Sequence, residues 1–426
     1  MKFEKLKQAQ KILIYGYGLE GKSSLRFLRN HFPGKTIEAF DEKREVPETL
    51  RALSDLDSYD VWIMSPGVDR RKFSPWLRER MTSQTELFFE NISEKKRWRT
   101  IGVSGTKGKS MTVKFCFEVL QNGGKRTVIG GNYGVPLLDF FDDFEEKDAF
   151  DFVVAELSSY QLEFLKVSPG VAIFLNIFPE HIDRHGDYEH YIEAKKNLWR
   201  FQRSDDIVIT PEKIKPFIEE TKRNNLFVSS DLPEEYFPKN SIFRAQHFRQ
   251  NFGTVLEFAK ILDIPVSIIA DTAKNFKGLP HRIEFVARVK QIDFYDDSIS
   301  TIPNSAYVAI QFFGNRLGSV IFGGKDRGVA YDLLARGLKK FAPQAFVIIL
   351  DSETKPALLS AMASEKIKHF ALAKNLEEAV RIGLEKTIPK KVCLLSPAAS
   401  SFDRFRDYIQ RGDEFQKWVR ELEKEL

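Results

Sequence analysis

The chain has 426 residues, of which 42% are hydrophobic and 29% charged. That is ordinary globular composition over a length that suits about two to four domains, and it excludes a mainly disordered chain. Lys and Arg number 65 against 60 Asp and Glu, a net charge of +5. This excess is too mild to point to nucleic acid, and it suits anionic small substrates.

Short apolar runs alternate with helix-period stretches along the chain. Lys11–Tyr15, Thr36–Phe40 and Val61–Met64 read as buried strands. Thr100–Val103, Thr127–Ile129, Phe152–Ala155, Val171–Leu175 and Ile207–Thr210 read the same way, as do Ser319–Phe322, Ala345–Leu350 and Val392–Leu395. Strands separated by helical patterns predict βαβ units and parallel sheets, an α/β protein. The polar stretch Glu90–Arg99 and the Gly-Pro stop at Lys277–Pro280 divide it into blocks 1–93, 94–279 and 280–426. The run Asp139–Asp151 carries seven acids and one lysine without ordered spacing, which predicts a solvated loop and no metal site. Cys116 and Cys393 are the only cysteines; they exclude a disulfide framework, read as small core residues and fit a reducing cytoplasm. No apolar run reaches the ~18 residues of a membrane span, and Met1–Lys7 has no apolar signal core. A cytoplasmic location is the expectation.

Two glycine loops carry the chemistry. Gly16-Tyr17-Gly18-Leu19-Glu20-Gly21 follows one strand and opens a helical pattern, and Asp41 stands at the end of the next strand. This is the context of a dinucleotide fingerprint, with backbone approach to a diphosphate and an acid for a ribose. The same arrangement serves a nicotinamide, a flavin or another nucleotide-like ligand, and it could also be a turn that only packs helix on strand. The second loop, Gly105-Thr106-Lys107-Gly108-Lys109-Ser110, lies between a strand and a helix with apolar Met111, Phe115 and Val119. Backbone N–H groups and the helix dipole make an anion nest there, with Lys109 for the β/γ-phosphates and the Ser110 hydroxyl for Mg²⁺. The full eight-residue spacing would need glycine at position 103, which is Val103 here. Glu156, at a strand end beside this loop, is placed to hold Mg²⁺; its other reading is a cap partner. Tyr188, Tyr191, Ile192, Lys195, Leu198 and Trp199 fall on one helical stripe, so Lys195 is predicted to be buried and Lys196 turned away. A snorkelling lysine is the alternative by residues alone. Two phosphate-type loops argue for an ATP-driven enzyme with a separate anionic substrate.

At this point the residues resemble the Mur ligase family, the ATP-dependent amide-forming enzymes of peptidoglycan precursor synthesis. The resemblance rests on the second loop and on segments matching in order. These are Gly130-Gly131-Asn132, Glu156–Glu163, Asn176–Arg184, Tyr191–Lys195, Gly278–Arg282, Asp296-Asp297-Ser298 and Gly323–Asp326. Ser65-Pro66-Gly67, the short first block and the closing Leu395–Phe405 with Gln410–Phe415 are similar to the D-glutamate-adding branch.

The resemblance implies three domains: N-terminal Rossmann-like (1–93), a central P-loop ATPase-like, mostly parallel sheet (94–279) and C-terminal Rossmann-like (280–426). They would bind, in turn, a UDP-linked substrate, ATP and the amino acid. The implied activity adds D-glutamate to UDP-N-acetylmuramoyl-L-alanine with ATP and Mg²⁺ through an acyl phosphate, as a monomer without nucleic-acid or membrane partners. Gly18, Leu19, Glu20, Gly21, Asp41, Glu42, Ser65, Pro66, Gly67, Asn132, Ser158 and Gln161 would bind the UDP substrate. ATP would meet Gly105, Thr106, Lys107, Gly108, Lys109, Ser110 and Met111, with Asn251, Arg282 and Asp297. Ser110 and Glu156 would hold one Mg²⁺, His181 and a carbamylated Lys195 a second, and Lys109, His181 and Lys195 would be catalytic. D-Glutamate would meet Thr301, Arg327, Ser401, Phe402 and Tyr408.

Two departures stand out. Phe248 replaces an Asn of the adenine-side motif, and Ile299 stands where a Lys is common, leaving Lys325 or Arg327 to supply the charge. The rivals are another Mur ligase, a folylpolyglutamate synthase-like ligase, a nicotinamide dehydrogenase using the first loop, and a non-catalytic nucleotide-binding module. The dehydrogenase leaves the second loop unexplained, and the intact Lys109, Glu156, His181 and Lys195 speak against a non-catalytic module.

Overall fold

A computed structural model describes residues 1–42, 44–51, 55–219, 226–239 and 241–425. The chain divides into two compact units, Met1–Phe276 and Lys277–Leu426.

The first unit holds two sheets. In sheet one, β1 (Lys11–Tyr15), β2 (Thr36–Phe40), β3 (Val61–Met64) and β4 (Met81–Thr82) lie parallel in the order β2-β1-β3-β4. Sheet two contains β5 (Thr100–Ser104), β6 (Thr127–Gly131), β7 (Phe152–Glu156), β8 (Val171–Phe174), β9 (Ile207–Pro211) and β10 (Leu226–Ser229). They run parallel in the order β10-β9-β8-β5-β7-β6. Alternation decides which way each strand of sheet one faces. Ile12, Ile14, Val61 and Ile63 join a core shared with Leu137, Phe140, Val153 and Ala155 of the second sheet's layer. Leu13, Tyr15, Trp62 and Met64 pack on the opposite side with Tyr59 and Leu77.

The acidic run is not a free loop. It begins in a 3₁₀ turn, Leu137–Phe140, and a short helix, Phe141–Glu145, whose Phe140, Phe141 and Phe144 are buried. Its carboxylates pair with Arg26, His31, Lys96, Arg99 and Arg126. The aromatic residues between the acids supply a buried face that a count of charges hides.

The second unit contains β11 (Glu284–Val289), β12 (Ile292–Asp296), β13 (Leu317–Phe322), β14 (Phe346–Leu350), β15 (Phe370–Ala373) and β16 (Val392–Leu395). The order is β11-β12-β16-β13-β14-β15, parallel except for the antiparallel edge strand β11. Both layers covering this sheet are built from residues after 280. Strands β12, β16 and β13 are neighbours, so their C-terminal loops share one edge, where open α/β sheets bind ligands.

Candidate active site

The loop after β5 is held from below by a residue to which sequence reasoning gave no role. Asn176, at the end of β8, accepts through Oδ1 the N–H groups of Thr106 (3.1 Å) and Lys107 (2.9 Å) and donates Nδ2 to the Lys107 carbonyl. Those two amides are therefore committed to the scaffold. The helix Lys109–Asn122 makes its first backbone bond from Thr112 N–H to Gly108 O, so the preceding amides at its N-terminus have no intrahelical acceptor. Gly108 caps it at φ +87°, and an added Cβ would collide with the Asn251 amide. The close approach brings Asn251 to the phosphate loop from 143 residues downstream. Lys109 Nζ lies over the Gly105 and Thr106 carbonyls at 3.1 and 3.0 Å.

Lys195 sits directly behind this loop. It is 1% exposed, and its Nζ donates to Gly105 O (3.0 Å) and Ser104 Oγ (3.2 Å). The head points inward and does not snorkel. Burial holds its ammonium well below the usual lysine range, and the charge of Lys109 pushes the same way. The helix carrying it, Tyr188–Lys196, ends before Leu198 and Trp199. Both are nevertheless fully buried, so the stripe continues in burial beyond the helix that predicted it. Lys196 is partly exposed and pairs with Glu193.

Glu156 ends β7, buried, with Oε1 accepting from Asn132 Nδ2 at 2.7 Å. Its Oε2 is buried and has no hydrogen-bond partner among the described residues. A buried carboxylate oxygen without a donor is costly, and a divalent cation would satisfy it. Asn132 follows β6, and Ser110 lies in the first turn of the helix Lys109–Asn122 that follows β5. His181 is exposed, at φ +57° as N-cap of the short helix Ile182–His185, its ring 5.1 Å from that of Tyr160. Desolvation by its neighbours, with the positive charges of Lys195 and Lys109, lowers the His181 pKa below the usual histidine value against the opposing pull of Glu180.

A cleft of about 300 Å³ opens at the first loop, lined by Gly18, Leu19, Glu20, Ser65, Pro66 and, from the second sheet, Asn132. Arg44 also lines it and went unnoticed in the sequence; a guanidinium is the donor type that pairs with phosphate groups. Asp41 and Glu42 are engaged in shaping the loop. Asp41 accepts from the backbone N–H of Tyr17 (2.6 Å) and Arg44 (2.9 Å), and Glu42 accepts from Tyr15 Oη (2.9 Å). Gln161 joins the two sheets by donating to Glu20 Oε1 at 2.9 Å, and it forms a capping box with Ser158.

In the second unit, Asp297 follows β12 and is buried, accepting from Ser300 Oγ (2.6 Å), Ser396 Oγ (2.8 Å) and Ile283 N–H. Burial pushes its carboxyl up to about 7. Ser401 is buried in the loop after β16, Phe402 beside it is 59% exposed, and Arg327 is exposed after β13. Thr301 follows β12, and Tyr408 opens the helix Tyr408–Glu425. Arg282 is partly exposed. The residues expected to meet ATP thus divide between the units, Asn251 and the loop in the first, Arg282 and Asp297 in the second. His281, Glu284 and Asp296 cluster as a metal set would. Asp296 and Glu284 are, however, already satisfied by His281, Gln416 and Ser298 donors, which leaves no reason for an ion.

Residues 103–272 match the family model described as the Mur ligase middle domain. Solved structures agree on the fold: UDP-N-acetylmuramate-alanine ligase from Thermotoga maritima at TM-score 0.57 (17% identity, 96% of this chain and 99% of that one), and a MurF ligase from the same organism in complex with ADP at 0.55 (17%, 99% and 97%). Among curated relatives, the UDP-N-acetylmuramoylalanine–D-glutamate ligase of Caldicellulosiruptor saccharolyticus is 31% identical over 97% of this chain and 99% of its own length. The enzyme of that name from Clostridium tetani is 29% identical over 99% and 98%. The chain belongs to the UDP-N-acetylmuramoylalanine–D-glutamate ligase family of Mur ligases.

Proposed function

We infer that the chain is an ATP-dependent ligase that forms an amide between D-glutamate and UDP-N-acetylmuramoyl-L-alanine, a step of peptidoglycan precursor synthesis. The observation that carries this reading is the end-to-end likeness to relatives bearing that name. The geometry of the first unit supplies the means. The substrate carboxylate attacks the γ-phosphate, ADP leaves, and the acyl phosphate then takes the D-glutamate amine with release of phosphate.

The first step brings two anions together, so positive charge and fixed dipoles must be aimed at the transferring group. Lys109 and the amides opening the helix Lys109–Asn122 provide both. The cleft at Gly18–Glu20 and Ser65 takes the UDP moiety, with Arg44 facing the diphosphate. Asn132 and Gln161 guide the muramoyl end towards the phosphate loop. Mg²⁺, when bound, would screen the phosphates; Ser110 and Glu156 would hold one ion, which the orphaned Glu156 Oε2 fits, and His181 and a carbamylated Lys195 a second. Burial pushes this lysine towards its neutral form, which can add CO₂, and a carbamate would present anionic oxygens where an ammonium would repel the ion. In the second unit Thr301, Arg327, Ser401, Phe402 and Tyr408 receive D-glutamate.

The test is phosphate release from ATP with UDP-N-acetylmuramoyl-L-alanine across a panel of D- and L-amino acids, with the product mass measured. D-Glutamate should turn over fastest. Clear preference for L-alanine or a diamino acid would overturn the assignment.

A further inference from the structure

Arg411 lies in the closing Gln410–Phe415 segment and has no part in the reading above. Its side chain is 1% exposed, among the largest fully buried ones in the chain. The guanidinium donates from Nε to Ser298 Oγ (3.0 Å), from Nη2 to Ser298 O (2.9 Å) and from Nη1 to Ala399 O (3.0 Å). All three acceptors are neutral. Among the described residues no carboxylate oxygen lies within 4.0 Å of it; Asp403 and Asp296 act on it only through space. A buried cation normally has a direct counter-ion, because desolvation without one is unfavourable.

Its position is equally specific. Ser298 lies in the loop after β12 and Ala399 in the loop after β16. The loop after β13 reaches it through Gly324, at φ +157°, where an added Cβ would stand 3.1 Å from Nη1. These are the neighbouring strand-end loops that carry Thr301, Arg327 and Ser401. Ser298 Oγ in turn donates to the carbonyl of Tyr408, at the start of Arg411's own helix. Ile299, beside Ser298, brings no charge to this edge.

We propose that Arg411 is the specificity-setting positioning residue of the amino-acid site: a buried cation that fixes the three loops in register and whose charge, met by no direct ion pair, favours an amino acid with an anionic side chain. The proposal rests on the ligase reading given above. The guanidinium is sealed from solvent, so it acts through the loops and through its field, not by touching the substrate. A charge several ångströms away in a poorly solvated site changes affinity by about tenfold or more.

The experiment compares kcat/KM for D-glutamate and D-glutamine in wild type, Arg411→Met and Arg411→Lys, with KM for ATP and for the UDP substrate alongside. Wild type should prefer D-glutamate. Arg411→Met should lower the D-glutamate to D-glutamine ratio at least tenfold while both nucleotide KM values stay within about threefold. Arg411→Lys keeps the charge but loses the fork, so it should keep the ratio within about threefold while kcat falls. An unchanged ratio in Arg411→Met, or no preference in wild type, overturns the proposal. If Arg411→Met is recovered unfolded, Arg411→Lys decides alone: a retained ratio supports the proposal, and a collapsed ratio overturns it. A wild type that uses neither amino acid but uses another sinks the ligase assignment itself.

Discussion

At single residues the site separates groups proposed to meet the phosphates from groups that support them. Of the two lysines on the phosphate loop, Lys107 pairs with Glu180 and Lys109 lies over the Gly105 and Thr106 carbonyls. Lys109→Ala should reduce phosphate release by ~10³ or more, while the thermal midpoint stays close to wild type because the loop is braced by Asn176. Activity within tenfold of wild type would remove Lys109 from the mechanism. Lys195 asks for a different experiment, since its burial suits either a carbamate or a purely structural amine. Lys195→Ala should lose most activity and regain part of it with added acetate, a carboxylate small enough to enter the vacated space. Loss without rescue would mean that Lys195 only holds Ser104 and Gly105 in place.

Elements were legible where local pattern and burial agree. The strands that lead into both glycine loops are short and almost wholly enclosed, with Lys11 at the start of β1 their one charged residue, so composition marks them. The hairpin β11–β12 escaped because its turn, Lys290-Gln291, reaches φ +45° and +64° without the Gly or Asn that normally announces such a turn. β15 escaped although Phe370–Ala373 is wholly apolar: it is a short edge strand with Phe370 and Leu372 exposed, and its two alanines carry no strand preference. Asn176 and Arg44 were missed because their roles depend on loops meeting across a sheet, which spacing does not encode. Capping, by contrast, is local. Asn375 accepts from Glu378 N–H at 2.9 Å at the start of the helix Leu376–Lys386. Asn375→Ala should cost about 1 kcal/mol, read as a lower urea midpoint with activity per folded molecule unchanged. A loss below a few tenths would mean that water replaces the cap.

For the whole molecule, stability should depend on pH in a direction set by Asp297. Its carboxyl is raised to about 7 in the folded chain, against roughly 3.9 unfolded. Below about pH 4 both states are protonated, and the folded state carries no penalty. Between about pH 4 and 7 the unfolded chain ionises while the buried group holds its proton, so stability falls as pH rises through that window. Asp297→Asn removes this term. Its urea midpoint, relative to wild type, should therefore improve between pH 4 and pH 8; a pH-independent difference would show that Asp297 is ionised in the fold.

The two compact units differ in how they are cored, and this sets what can be cut apart. The layers around the third sheet draw only on residues after 280. Sheet one, by contrast, shares its main core with Leu137–Phe144 and Val153 of the second sheet and keeps only a small satellite cluster of its own. Separating residues 1–93 would strip Phe3, Phe27 and Phe88 of the rings of Phe140, Phe141 and Phe144, and a helix layer left with a bare apolar face lacks the burial needed to offset chain entropy. Fragment 277–426 should therefore unfold cooperatively in urea with dispersed amide spectra, and fragment 1–276 should as well. Fragment 1–93 should be soluble only as an aggregate or a molten state that binds ANS. A cooperative transition in 1–93 alone would show that the shared core is an interface between finished domains.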